Sequence, residues 1–322
     1  MAAPALAQGA KAKPAAPGKA WSLPRTPDGA PDLQGVWANN NATPLQRPKE
    51  LAGKPLLNDQ ELAALKAKAA ELFAGDGDAA FGDSIFVAAV TNADKFVSRD
   101  GKTGDYNQFW LVDRDWDNRT SLITDPADGR IPALTPDAQA RADARRNIRV
   151  TAEGGLEGGR SDSWEDRSLS ERCITFGAPR IGAAYNSYYQ IFQAKDYVVI
   201  GMETIHDARI IPLDNRPHVT PGVKQWLGDS RGHWEGDTLV VDSVGFKDTS
   251  WVGFPQHPHT EKLHVIERFT RTGPQNIKYE FTIDDPDTWT KPWSVMIPLR
   301  HSPDKVFEYA CHEGNSGLEG IL

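Results

Sequence analysis

Glu203, His206, Asp207 and Arg209 stand close together near the end of the stretch 185–211, YNSYYQIFQAKDYVVIGMETIHDARII. A histidine with a carboxylate and a tyrosine is a sufficient kit for general acid–base catalysis without a cofactor. An arginine beside them can hold negative charge developing on an enolate oxygen, or set the acidity of a neighbouring carboxylate. Removing a proton from one carbon as a neighbouring group departs gives a lyase; returning the proton elsewhere gives an isomerase. Read as an extended strand, the stretch alternates its side chains between two faces. Glu203, Asp207 and Arg209 then share a face with Ile205, and His206 points the other way beside Thr204 and Ala208. His206 and Asp207 are therefore alternative bases, and the near-neutral pKa of an ordinary imidazole favours His206. The same pattern also describes an arginine set between two carboxylates as a structural ion pair in a barrel, so both readings stand.

Two further clusters offer chemistry. Glu308 and His312 fall on one face if a last strand over 306–311 continues, with His312 as the general acid. Tyr106, Asn107 and Trp110, followed by Asp113, combine aromatics and an amide in the way that small-molecule pockets are lined. Tyr185, Tyr188 and Tyr189 add a phenolic wall. A metal site built from Glu203, His206, His312 or the His257-Pro258-His259 triplet lacks a convincing zinc-ligand spacing, so no metal ligands are assigned. The chain has no phosphate loop, no dinucleotide fingerprint and no CxxCH, so no organic cofactor is expected. Gly228 to Gly232, GDSRG, reads as a turn.

These side chains need a scaffold. The hairpin at the centre joins two runs rich in Tyr, Val and Ile across Ala194, Lys195 and Asp196, which suits strands. Downstream, Thr238 to Ser243, Leu263 to Thr270, Ile277 to Asp284 and Trp293 to Leu299 form a meander. In it Ile277, Tyr279, Phe281 and Ile283 alternate with Lys278, Glu280, Thr282 and Asp284, so one face is buried and one is wet. Six to ten such strands predict a closed antiparallel barrel, which removes exposed edges. Gly35-Val36-Trp37 is similar to the Gly-x-Trp of the first strand in lipocalin-like (calycin) barrels, where the Trp closes one end. Helices are expected at 58–73, opened by an Asn58/Glu61 capping box, and at 134–148, opened by Thr135-Pro136. Residues 75–133 read as loop-rich. The expected fold is mainly β: a lipocalin-like barrel over residues 21–322 with two or three peripheral helices.

The formal charge of −8 argues against nucleic acid as a partner, and no apolar run is long enough to span a bilayer. Residues 1–20 are Ala/Pro/Lys-rich and read as the remnant of an export signal followed by a linker. Cys173 and Cys311 are the two cysteines; they are either small buried hydrophobes or, if the chain is exported, a disulfide closing a long loop.

The blocks TPDGAPDLQGVW, YNQFW, RTSLITDPADGRIP, RSLSERCI, HDARIIPLD, WLGDSRGHWEGDTLVVDS, ERFTR, DDPDTWTKPW and EYACHEGN, in that order, resemble a large family of exported, mostly uncharacterised bacterial proteins. The resemblance runs from about residue 26 to the C-terminus. It implies a signal peptide, a periplasmic or secreted location and one β-rich domain, and it carries no mechanism to particular residues. The function expected from the residues is a cofactor-independent lyase or isomerase acting on a small apolar, aromatic compound in a barrel pocket. The alternatives are a non-enzymatic carrier of apolar ligands and a glycan-active hydrolase.

Overall fold

The computed structural model describes residues 21–74, 78–80, 84–92, 94–96, 111–151, 163–183, 185–252, 257–314 and 316–321. The chain is mainly β. Its strands are β1 (Gly35–Ala38), β2 (Ile123–Asp125), β3 (Tyr188–Ala194), β4 (Tyr197–Met202), β5 (Ala208–Pro212), β6 (Asp229–Glu235), β7 (Thr238–Val244), β8 (Trp251–Val252), β9 (His257–Pro258), β10 (His264–Gly273), β11 (Asn276–Asp284) and β12 (Trp293–Ser302). The main sheet runs β5-β4-β3-β1-β12-β11-β10-β7-β6, with β2 added against β12 and β8 paired with β9 separately. Every ladder in the main sheet is antiparallel. The sheet curls until β5 packs beside β6, so the barrel is nearly closed and compatible with a lipocalin-like fold.

Alternation builds the interior. On β11, Ile277, Tyr279, Phe281 and Ile283 are buried, and so are Trp293, Val295, Ile297 and Leu299 on β12. Phe269 and Tyr279 stack with ring centres 4.4 Å apart, a contact worth about 1 kcal/mol beyond the area it buries. Trp37 is fully buried and donates through Nε1 to the Leu33 carbonyl, and the Arg271 guanidinium lies 5.3 Å from its ring centre. These residues close the end of the barrel where the β3–β4, β6–β7 and β10–β11 hairpins turn.

Counting directions around the sheet gives the two ends different characters. Because nine strands alternate, β5 and β6 run the same way where they meet. Among the described residues, no ladder joins them. They touch through side chains instead: a Cβ on Gly232 would lie 2.7 Å from Leu213 Cδ2 and 2.8 Å from Ile211 Cγ2. Gly232 is glycine so that β6 can approach β5. Residues 228–232 are thus mostly strand, the start of β6, where a turn was expected.

Helix α1 (Asp59–Leu72) opens with the expected capping box: Asn58 Oδ1 accepts from the Glu61 amide and Glu61 Oε2 from the Asn58 amide, at 2.9 and 3.0 Å. It packs against α2 (Ser84–Val90), a short apolar helix inside the stretch read as loop, through Leu65, Ala69, Ile85, Phe86 and Ala89. Helix α3 (Pro136–Thr151) begins where Thr135 Oγ1 accepts from the Ala138 amide. A short α4 (Ser316–Ile321) lies near the C-terminus. No described helix is long and apolar enough to cross a membrane.

Two expectations about the strands that carry the site fail. The second run of the central hairpin is not one strand, since β4 stops at Met202 and β5 starts at Ala208. No strand forms over 306–311; that segment is irregular. It lacks an alternating apolar face to bury, and Phe307 is largely exposed. A disulfide from Cys311 to Cys173 holds it, with the two Cα atoms 5.8 Å apart.

Candidate active site at the barrel seam

The break between β4 and β5 creates the site. Glu203 to Asp207 form a tight 3-10 turn in which Ile205 and His206 take left-handed backbone angles, φ 58° and 60°. The Met202 amide donates to the Asp207 carbonyl at 2.7 Å, and Thr204 Oγ1 donates to the Asn186 carbonyl at 2.7 Å. Strand alternation is lost across this turn. Glu203, Asp207 and Arg209 therefore do not share a face, and each enters a different environment.

Arg209 points into the barrel and is buried there. Its Nη1 and Nη2 donate to Glu267 Oε1 and Oε2 at 2.9 and 2.5 Å, and Nη2 also reaches Ser230 Oγ and Ser243 Oγ, each at 3.0 Å. Tyr279 donates its hydroxyl proton to Glu267 Oε1 at 2.7 Å. The sequence suggested an ion pair at Arg209, and there is one, but its carboxylate comes from β10 rather than from Glu203 or Asp207. Glu267 sits on an alternating strand at a core position, and that is the signal by which it was recognisable.

Asp207 is half-buried at the rim. Its Oδ2 accepts from Thr175 Oγ1 at 2.8 Å and from the Phe176 amide at 3.3 Å. Among the described residues, nothing bonds Oδ1. Burial pushes the Asp207 carboxyl above its ordinary range, partly opposed by those hydrogen bonds and by the charges of Arg180 and His206. The loop that supplies Thr175 and Phe176 is fixed by the disulfide at Cys173 and by Gly177, whose φ of +76° and absent Cβ let it lie against the Trp251 carbonyl. A side chain cannot be placed at Gly177 without displacing that backbone.

Asp207 and Arg209 line a pocket of about 530 Å³ beside the seam. Its other walls come from Ile174, Ile210, Trp226 and Leu227, with Lys224 and Lys247 at its edge and Asp229 and Ser230 on β6. Asp229 is fully committed: Arg231 Nη1 donates to its Oδ1, and His218 and the Val219 amide bond its Oδ2. The sequence reading missed Trp226, Lys224 and Lys247, which lie in the irregular connection between β5 and β6 or just beyond β7, where no periodicity marks a pocket wall. A smaller pocket of about 350 Å³ at the opposite end, between Thr26–Gln34 residues and Trp234, has Asp28 and Lys195 as its ionisable lining.

Behind Asp207 lie two buried charged side chains, Glu203 and Arg180, of which the sequence singled out only Glu203. Glu203 is buried, its Oε2 lacks a hydrogen-bond partner among the described residues, and desolvation raises its pKa. Arg180, also buried, donates from Nη2 to the Tyr185 carbonyl at 3.3 Å, while its Nε and Nη1 have no partner among the described residues. Its guanidinium lies 5.0 Å from the Phe176 ring centre, and the charge of Glu203 acts on it. An arginine in the small apolar run GAPRIG was the available signal.

The other candidate residues are scattered. His206 is exposed next to Asp207, whose carboxyl its charge favours in the ionised form. Glu308 and His312 are exposed on the irregular tail and do not form a strand face; His312 neighbours the disulfide. Tyr188 and Tyr189 lie on opposite faces of β3, so they do not make one wall. Tyr189 is buried and donates to the Arg180 carbonyl at 2.8 Å, and Tyr188 is half-buried on the outside. Tyr185 is half-buried in the loop before β3. Tyr106, Asn107 and Trp110 lie outside the described residues. His259 is buried and its ring nitrogens bond Ser250 and the Thr260 carbonyl. Among the described residues, no three His, Cys, Asp or Glu side chains converge as a metal-ligand set.

No protein-family model matches the chain, and neither the curated proteins nor the solved structures gave a match.

Proposed function

We propose that the protein is a cofactor-independent lyase or isomerase that works by general acid–base catalysis on a small, largely apolar, aromatic compound bound in the seam pocket. The observation that carries this reading is Asp207. One of its oxygens is fixed by two donors, the other has no partner among the described residues, and burial raises its pKa, the direction that suits a proton-transfer carboxyl. Trp226, Leu227, Ile174 and Ile210 supply apolar walls beside it. The left-handed residues Ile205 and His206 hold Asp207 at the rim, a strained turn of the kind that recurs at working sites. His206, exposed beside Asp207, is the second proton-transfer group in this reading.

Two competing readings have less support. A carrier of apolar ligands needs a hollow barrel, and here the interior holds packed aromatics around the Arg209–Glu267 pair. A glycosidase needs two available carboxylates, and Asp229, the other carboxylate lining the pocket, has both oxygens occupied. Export, and membership of the bacterial family that the sequence blocks resemble, belong to the same proposal. The disulfide supports them, because such bonds persist in oxidising compartments.

The test is proton chemistry. The protein is incubated in heavy water with a panel of small aromatic compounds carrying acidic C–H bonds, and NMR follows deuterium incorporation or elimination. The expected result is exchange or turnover that Asp207→Asn lowers by about 100- to 10,000-fold with the fold intact. Turnover that survives this substitution, or none with any compound, overturns the reading.

A further inference from the structure

Lys247 lies half-buried with its Nζ 4.1 Å from the centre of the Trp226 ring, and both residues line the seam pocket. A lysine stem packed on an aromatic face is held in place while its ammonium stays available. Among the described residues, Lys247 makes no ion pair. Among the described residues, Lys224, on the same pocket, is held only by a contact of 3.5 Å to the largely exposed Glu261. The remaining charges facing the pocket are accounted for. Arg209 is neutralised by Glu267, and Asp229 by Arg231. Asp207 is the carboxyl assigned above to proton transfer. Two ammonium groups, that of Lys247 without an ion-pair partner among the described residues, thus stand at the mouth of this pocket. A fixed cation beside an aromatic wall suits a ring compound that carries an anionic group.

We propose that Lys247, assisted by Lys224, makes the pocket selective for an aromatic compound bearing a carboxylate, whose ring packs between Trp226 and the apolar wall while the carboxylate meets the two ammonium groups. The inference rests on the seam pocket being the active site. It adds that the substrate is an anion and names the residues that choose it. The charge also has a use during reaction. A substrate carboxylate brought near Asp207 repels a second negative charge, and Lys247 offsets that repulsion so that Asp207 can still ionise.

Paired ligands separate the two claims. Isothermal titration calorimetry is run with 3-phenylpropionate and benzoate against their primary amides, which have nearly the same shape and no charge. The wild type is expected to bind each acid more tightly than its amide, by about tenfold or more, the scale of one charge-assisted hydrogen bond. Lys247→Gln is expected to abolish this preference and leave amide binding unchanged, and Lys247→Arg to retain it. Raising the salt concentration should weaken the acids only. Equal binding of acids and amides, or a preference that survives both Lys247→Gln and Lys224→Gln, overturns the inference and leaves the acid–base reading of Asp207 in place. If neither acids nor amides bind, the aromatic pocket itself is refuted, and this inference with it.

Discussion

Arg209 on β5 and Glu267 on β10 meet inside the barrel although their strands are not neighbours in the sheet. The pair ties β5 across the seam to β10, and Tyr279, Ser230 and Ser243 satisfy it further. Removing one partner leaves a buried charge alone. Glu267→Ala is expected to cost about 3–5 kcal/mol, while Arg209→Met with Glu267→Leu together should cost much less or nothing. Urea unfolding of the three proteins checks this, and a single variant as stable as wild type would show that the pair is not closed to water.

The carboxyls at the rim make stability fall as the solution becomes more alkaline. Glu203 has an ordinary value of 4.5, raised in the fold chiefly by burial. Below that value both folded and unfolded chains hold the proton, and the stabilising contribution is present in full. As pH rises through the folded pKa, the unfolded chain has already ionised and the folded one must charge a buried group, so the contribution is lost. Glu203→Gln is expected to raise the melting temperature at neutral pH and to have little effect in acid. Asp207 follows the same sign in stability. Acting as a base it works ionised, so the rate should climb with pH through a midpoint above its ordinary 3.8.

Gly232 tests the seam. Alanine there would place its Cβ within 2.8 Å of both Ile211 and Leu213 side chains. The expected cost is about 1–3 kcal/mol, as for other overpacked interiors. Pairing it with Leu213→Ala should recover part of that loss in thermal melts.

The disulfide spans 138 positions of sequence. Replacing Cys173 and Cys311 by serine is expected to destabilise the protein by about 2–5 kcal/mol. A reducing agent should lower the melting temperature of the wild type and leave the double variant unmoved. Intact mass before and after alkylation establishes the bond directly.

The barrel was legible because its signal repeats. Four alternating pairs on β11 announce a half-buried strand, and Trp37 announced a closed end. The site was less legible because it depends on one break. Nothing in METIHDAR announces that Ile205 and His206 turn left-handed, since β-branched residues disfavour that conformation. Once the turn is missed, alternation assigns Glu203, Asp207 and Arg209 to one face, and Glu267, distant in sequence, is overlooked as a partner. Tyr188 and Tyr189 show the same rule in reverse. As neighbours on a real strand they must face opposite ways, so no single wall holds both. Lys247 is brought to Lys224 and Trp226 only by tertiary structure.

An odd count of alternating strands leaves first and last running alike, and here they meet through side chains with no shared ladder among the described residues. Elsewhere in the barrel, slipping one residue turns every side chain to the wrong face. At this junction no hydrogen-bonded register has to be kept, although Gly232 and the Arg209–Ser230 contact hold the two strands close. Residues on Ile210 and Leu227 can change bulk, and the connection between β5 and β6 can change length, while the rest of the sheet stays as it is. The place where chemistry is proposed is also the place where the architecture tolerates variation, so a new ligand preference can be selected there without rebuilding the molecule.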